Sequence, residues 1–179
     1  CISKNEKKYL ETNFREEKLS YIPFGVDDEF WVPNQKKELN KKYVLAIGND
    51  NARDWQTLIE AWELNFPNLK LVTSLPVFTN KENIEIIKGN WGGIFLSDLE
   101  IKKLYLNSFY VIIPLKETIQ PAGQSCCLQA MACGKPVIMS NIKGIWDKNL
   151  LINRENIFLI KPDSVMTLQN AIKELNNNK

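Results

Sequence analysis

PLKETIQPAGQSCCLQAMACGKP, residues Pro114–Pro136, is the stretch whose reading decides the fold. The apolar run Phe109–Pro114 leads into it and Pro136–Met139 leads out. Between them lie a polar loop, Gly123, the helix-forming stretch Gln124–Cys133 and a closing Gly134. Strand, Gly-bearing loop, helix, Gly stop and strand make a parallel crossover unit. The loop and first helical turn of such a unit offer free N–H groups and a partial positive charge, which suit an anion. An ordinary Gly-linked crossover with no ligand satisfies the same pattern, because a Gly-bearing turn alone is weak evidence of a site.

The same alternation extends in both directions. Tyr43–Ile47 (YVLAI) reads as a strand buried on both faces and ended by Gly48. After the turn GNDNAR a helix is expected over Asp54–Leu64, with Trp55, Ile59 and Trp62 on one face. Leu69–Thr73 and Asn83–Ile87 read as the next strands, the latter ending at Gly89. Ser97 and Glu100 form a capping box, with Leu96 and Ile101 as a hydrophobic staple, opening a helix that turns Ile101, Leu104 and Tyr105 inward. Val137–Met139 and Ile157–Ile160 supply the last strands. Val165, Leu168, Ile172 and Leu175 stripe a final helix that starts at Pro162–Asp163. The expected fold is a doubly wound α/β domain, Rossmann-like, with a mostly parallel sheet. Ligands of such sheets sit beyond the carboxyl ends of the strands, so the site belongs among the loops after Gly48, Ser74, Gly89 and Pro114.

Upstream of Tyr43, Ser3 and Glu6 make a capping box for a helix on which Tyr9, Leu10 and Phe14 share a face. Leu19–Pro23 reads as a short strand. Phe24–Lys42, polar and broken by Pro and Gly, reads as a linker. Residues 1–42 are thus an inter-domain linker region with an N-terminal helix, and residues 43–179 the main domain.

Composition narrows the function. The 179 residues are 44% hydrophobic and 25% charged, as in soluble globular proteins, and suit one domain of ordinary size. A net charge of +2 gives no field that argues for nucleic acid or a membrane surface. There is no histidine, the commonest metal ligand and general base. The four cysteines form neither a disulfide framework nor paired Cys-x-x-Cys ligands, so a reducing cytoplasm is expected and no metal site. No apolar run approaches the ~20 residues of a membrane span, and no signal peptide is visible. A chain that opens on Cys rather than Met is expected to be a fragment of a longer protein.

Each candidate residue has two readings. Arg53, near a helix N-terminus, suits a phosphate through its fork of donors, or is a surface arginine paired with Asp50 or Asp54. Gln129, in the apolar LQAMA run, needs buried partners or a cavity, unless it lies on an outer face. Lys116 and Glu117 suit a solvated loop. Cys126 and Cys127 read as small core filler rather than redox groups. Trp91, before Gly92–Gly93, is the tryptophan expected to touch a ligand.

At this point the residues resemble a known family. Nearly the whole chain is similar to the C-terminal, donor-binding half of a group 1 (family four) glycosyltransferase of the two-domain GT-B architecture. SYIPFGVDDEFW resembles the stretch joining the two domains, and YVLAIGNDNARDWQTLIEAW the first strand, glycine loop and helix of the donor domain. LKLVTS and NIEIIKGN match the next two strands, and LEIKKLYLNSFYVIIPLKE the segment before the donor-sugar loop. PAGQSCCLQAMACGKPVIMSN is the most specific match, similar to the family's Gly-x-x-x-x-(Glu/Gln)-Ala-Met-Ala-x-Gly-x-Pro-Val signature, with one residue extra before Gln129.

The resemblance implies a nucleoside-diphosphate sugar as donor substrate, no other cofactor, no metal, and transfer with retention at the anomeric carbon. Gly48 would let the backbone approach the diphosphate, and Arg53 would contact phosphate and stabilise the leaving nucleotide. Gln120–Gly123 would approach the sugar, and the helix N-terminus at Gln124 its phosphate. Gln129 takes the position of the second glutamate of a Glu-x7-Glu signature, which holds the ribose hydroxyls; a glutamine can make those bonds without charge. The first glutamate has no counterpart: the family spacing lands on Pro121, alignment on Gly123 gives Gln120, and Glu117 fits neither register. Asn49 stands where a second basic residue is common. The acceptor would be held by an N-terminal GT-B domain that these residues lack, so the isolated fragment is expected to be inactive. The family implies polysaccharide biosynthesis in the cytoplasm, at the inner face of the membrane, with peripheral membrane association through the missing domain. A sugar-nucleotide epimerase of this architecture would need acidic and histidine residues that are absent. A non-catalytic nucleotide-binding or regulatory module is the alternative that Asn49 and the glutamines leave open.

Overall fold

The computed structural model describes residues 1–14, 18–33, 43–89 and 96–177. The expected ligand contact at Trp91–Gly93 and the linker residues 34–42 lie outside them. Among the described residues six strands, β1 (Tyr43–Ile47), β2 (Leu69–Thr73), β3 (Ile84–Lys88), β4 (Ser108–Ile113), β5 (Val137–Ser140) and β6 (Phe158–Ile160), form one sheet of order β3-β2-β1-β4-β5-β6. All five pairings are parallel. The doubly wound expectation is met, with the sheet wholly parallel.

Alternate residues along each strand face opposite layers. Leu45 and Ile47 of β1 join a core under α3 (Asp98–Leu106) and α4 (Gln124–Ala132). Val44 and Ala46 join the opposite core under α2 (Trp55–Ala61) and α5 (Val165–Asn177). Every residue of β1 and β5 is buried, which explains their unbroken apolar sequence. On α5, Leu168 and Ile172 are fully covered while Val165 and Leu175 flank them, as their spacing requires.

Local chemistry sets the boundaries. Ser97 and Glu100 form the expected capping box at the start of α3. Helix α2 stops at Ala61, three residues earlier than expected. Trp62 turns extended, its indole N–H donates to Pro67 O at 3.1 Å, and Lys81 Nζ donates to Ile59 O and Trp62 O at 2.6 and 2.7 Å. The released carbonyls thus find a side-chain donor instead of another helical turn.

One expectation fails upstream. Leu19–Pro23 is no strand; Ile22 N–H bonds Cys1 O at 2.9 Å, and Pro23 has no N–H with which to extend a ladder. Helix α1 (Lys4–Asn13) forms behind the Ser3 cap but buries no residue, leaving Tyr9 and Phe14 exposed, because too few of its residues are apolar to make a packing face. Its anchorage lies at the cap instead. Ser3, fully buried, donates to Ile145 O at 3.3 Å, and Asn5 Nδ2 to Lys143 O at 2.7 Å. Within the stretch read as linker, Trp31 is buried against Tyr105, edge to face at 5.8 Å. No helix among the described residues is long and apolar enough to cross a membrane.

Candidate functional site

The strand order reverses between β1 and β4, so the loops that follow them diverge to opposite faces and open a crevice at the carboxyl edge. Arg53 and Leu115 form an isolated antiparallel bridge there. Asp54 N–H bonds Pro114 O at 3.0 Å and Lys116 N–H bonds Ala52 O at 2.8 Å, stitching the two loops together. Above the stitch lies a cavity of about 480 Å³, lined by Asn49–Arg53 of one loop and by Thr118 and Gln120–Ser125 of the other. A volume of this size suits a small-molecule ligand.

Arg53 is the charged floor of the site. It is only 4% exposed, so it is not the surface arginine that its sequence context also allowed, although the predicted partner Asp50 is present. Its Nη2 donates to Cys126 Sγ at 3.3 Å. Its Nε lies 2.9 Å from Asp50 Oδ2, but the N–H is not aligned with that oxygen, and Nε and Nη1 make no hydrogen bond. Asp50 is itself half-exposed and hydrated, so it compensates the buried cation poorly. A guanidinium with unmade bonds is costly to bury, and an anion that supplied acceptors would relieve that cost.

Gly123 places the α4 N-terminus beside it. With φ of +79° it occupies the left-handed region, and a Cβ there would sit 2.8 Å from Ile113 Cγ2. As N-cap, Gly123 has no side chain to satisfy the first-turn N–H groups, which face the crevice uncapped. Gln124, 7% exposed, adds an Nε2 with no partner. The cavity thus combines a buried cation, an uncapped helix start and a spare amide donor. Among the described residues, Asp50 is the only carboxylate-bearing one in the lining.

The remaining predicted residues divide. Gln120 and Gly123 line the cavity beside Arg53 and Gln124. Gly48 lies directly under Arg53, and a Cβ on it would come 1.9 Å from Nε. Its lack of a side chain therefore seats the arginine. Gly89 is not in the lining; a Cβ there would meet Val72 Cγ1 at 2.5 Å. Glu117 also stays outside, exposed, its Oε1 accepting from Lys143 N–H at 2.8 Å. Gln129 sits farther along α4, where its Oε1 accepts from the Tyr105 hydroxyl at 3.2 Å.

The contacts made by several residues carry no sequence signal. Asn49 donates to Gly89 O at 3.0 Å and accepts from Ser74 N–H at 2.6 Å, tying the ends of β1, β2 and β3 together. Gly144 N–H bonds Thr118 O at 2.8 Å, and a Cβ on Gly144 would fall 2.4 Å from Gln120 O. A rigid backbone stands there, so Gly144→Ala must displace the 119–120 segment of the lining. We expect a loss of ~1–3 kcal/mol of stability by chemical denaturation, as in other overpacked sites. Cys127 is core filler as expected, fully buried, with its thiol pushed up to about 12 by burial. Cys126, by contrast, touches Arg53.

A family model described as Glycosyl transferases group 1 matches residues 41–178, and the chain belongs to that family. Comparison with curated proteins returns no match. Among solved structures, a glycosyltransferase from Rickettsia africae aligns over 98% of this chain and 52% of its own, at 21% identity and a TM-score of 0.75. Sucrose-phosphate synthase from Thermosynechococcus elongatus aligns over 98% and 48%, at 20% identity and a TM-score of 0.73. Anabaena HepE, solved in complex with UDP-glucose, aligns over 97% and 52%, at 18% identity and a TM-score of 0.72. At these identities the likeness is one of fold. The chain spans about half the length of each.

Proposed function

We propose that the chain is the donor-binding half of a retaining, metal-independent glycosyltransferase that uses a nucleoside-diphosphate sugar. The observation that carries this reading is Arg53, buried at the cavity with Nε and Nη1 unbonded, beside the uncapped start of α4. The diphosphate accepts from Arg53, from Gln124 and from the first-turn N–H groups. As the bond between the anomeric carbon and phosphate oxygen breaks, its electron pair passes to the phosphate. These donors stabilise the charge that develops there, which is the work a metal ion does elsewhere. The acceptor hydroxyl forms the new bond to the anomeric carbon and gives up its proton. Its binding surface belongs to an N-terminal domain, a reading supported by the half-length match to the solved structures. The same reading places the enzyme in the cytoplasm, building polysaccharide at the inner face of a membrane.

A thermal-shift panel of UDP-, GDP- and ADP-sugars tests the donor. A ligand at a hundred times its Kd adds ~2.7 kcal/mol, or roughly 5–10 °C for a chain of this size. A rise with one nucleotide class supports the transferase; no rise with any of the three overturns it. The 179 residues alone are expected to bind without transferring sugar, and turnover by them would refute the assignment of the acceptor site to another domain.

A further inference from the structure

We propose that Ser3, Asn5 and Glu117 are positioning residues that brace one wall of the donor cavity, residues 118–120, through the turn at 143–145. The inference rests on the donor site of the function proposed above. It gives a part in that site to residues that lie outside the cavity lining.

The starting point is a helix with no packing face. Helix α1 buries no residue, yet its first turn is firmly attached. Ser3 is 0% exposed, and its Oγ donates to Ile145 O at 3.3 Å. Asn5 Nδ2 donates to Lys143 O at 2.7 Å. Farther along, the Tyr21 hydroxyl donates to Asp147 Oδ2 at 3.4 Å. Ile22 N–H bonds Cys1 O at 2.9 Å and closes the segment on itself. Polar contacts to residues 143–147, rather than apolar burial, thus hold α1 to the domain.

The same turn stands behind the cavity. Gly144 N–H donates to Thr118 O, and Lys143 N–H to Glu117 Oε1, both at 2.8 Å. A Cβ on Gly144 would fall 2.4 Å from Gln120 O, so turn and wall touch through their backbones. Lys143 is therefore gripped from two sides, its carbonyl by Asn5 and its N–H by Glu117. Thr118 and Gln120 line the cavity on the other loop from Arg53. Residues 116–120 belong to no helix or strand, so their position depends on such supports. In the proposed reading residues 1–42 are the inter-domain linker. The brace then runs from the joint between the two halves to the wall of the donor cavity, and a shift of that joint alters the space open to the donor.

Two probes separate this wall from the anion site. Inorganic pyrophosphate needs Arg53, Gln124 and the start of α4; the UDP-, GDP- or ADP-sugar that stabilises the wild type also needs the room beside residues 118–120. Asn5→Asp removes the donor to Lys143 O, while a carboxylate in the first turn favours α1 itself. It should weaken the nucleotide sugar about three-fold, the effect of one modest hydrogen bond, and leave pyrophosphate unchanged. Glu117→Ala should behave in the same way. Glu117→Gln keeps an Oε1 acceptor without the charge and should restore wild-type affinity. Amide hydrogen exchange supplies the second readout: the Gly144 N–H should exchange several-fold faster in Asn5→Asp and in Glu117→Ala. Equal loss of both ligands would mean general damage and overturns the proposal. So does an unchanged nucleotide-sugar affinity, an unchanged Gly144 exchange rate, or a Glu117→Gln variant that fails to recover. A chain in which Asn5→Asp loosens the Gly144 N–H, but whose wild type binds neither pyrophosphate nor any of the three nucleotide sugars, refutes the nucleotide-sugar reading and leaves the brace standing.

Discussion

Arg53→Ala is expected to abolish the nucleotide-induced rise in melting temperature while leaving the unliganded chain close to wild-type stability. The two halves of this result have separate causes. In the unliganded chain the guanidinium is buried with one bond to a weak acceptor and one imperfect pairing to half-exposed Asp50. Removing it forfeits little favourable interaction and lifts a desolvation cost, which offsets the packing lost with the side-chain stem. Asp50, left behind, is hydrated and makes no buried unpaired charge. The ligand-bound state is different. Two charge-assisted bonds to phosphate contribute roughly 3–6 kcal/mol, so their loss weakens binding by more than about a hundredfold. The check is a titration with the nucleotide that stabilises the wild type, followed by thermal melting. A variant that keeps its nucleotide shift would show that the anion binds elsewhere. A variant that unfolds without ligand would show that Arg53 is structural.

The fold and the site were legible to different depths, and the reason is sequence distance. Strands buried on both faces leave unbroken apolar runs such as Tyr43–Ile47, and Gly48, Gly89 and Gly134 punctuate them, so a parallel doubly wound sheet is readable without coordinates. The location of the site at the β1–β4 edge follows from that topology alone. What the topology omits are contacts between residues remote in sequence. Arg53 and Cys126 are 73 residues apart, and Tyr105 and Gln129 are 24 apart on different helices. Neither pair leaves a periodicity, and a cysteine within an apolar helix reads equally well as filler. The same holds for Gly144, whose backbone stands against Gln120. Upstream, helix α1 and its Ser3 cap were legible, but what the helix packs against was not. A cap and a few apolar residues suffice to form a helix, but burial depends on a partner surface that local sequence does not describe.

Gly48→Ala is expected to mimic Arg53→Ala in binding although the substitution adds only one methyl group. The added Cβ would lie 1.9 Å from Nε, 2.4 Å from Cζ and 2.7 Å from Nη2 of Arg53, far inside the ~3.5–4.0 Å of favourable contact. One of the two groups must move. The backbone at Gly48 is held by its N–H bond to Val72 O at 3.1 Å, and its φ is outside the left-handed region, so alanine itself fits. The guanidinium is therefore the part that yields, leaving its place beside Cys126. Expulsion of the arginine should cost ~1–3 kcal/mol of stability, a melting-temperature drop of roughly 2–12 °C, and reduce nucleotide affinity to the level of Arg53→Ala. The double variant separates this cause from an alternative in which Gly48 matters because ligand backbone contact needs the space. With Arg53 already truncated, the methyl group has nothing to displace. Gly48→Ala should then carry almost no further stability penalty in the unliganded chain, a clear departure from additivity. If the full penalty persists without the arginine, or if Gly48→Ala alone binds nucleotide as well as the wild type, the seat beneath Arg53 is not what the glycine provides.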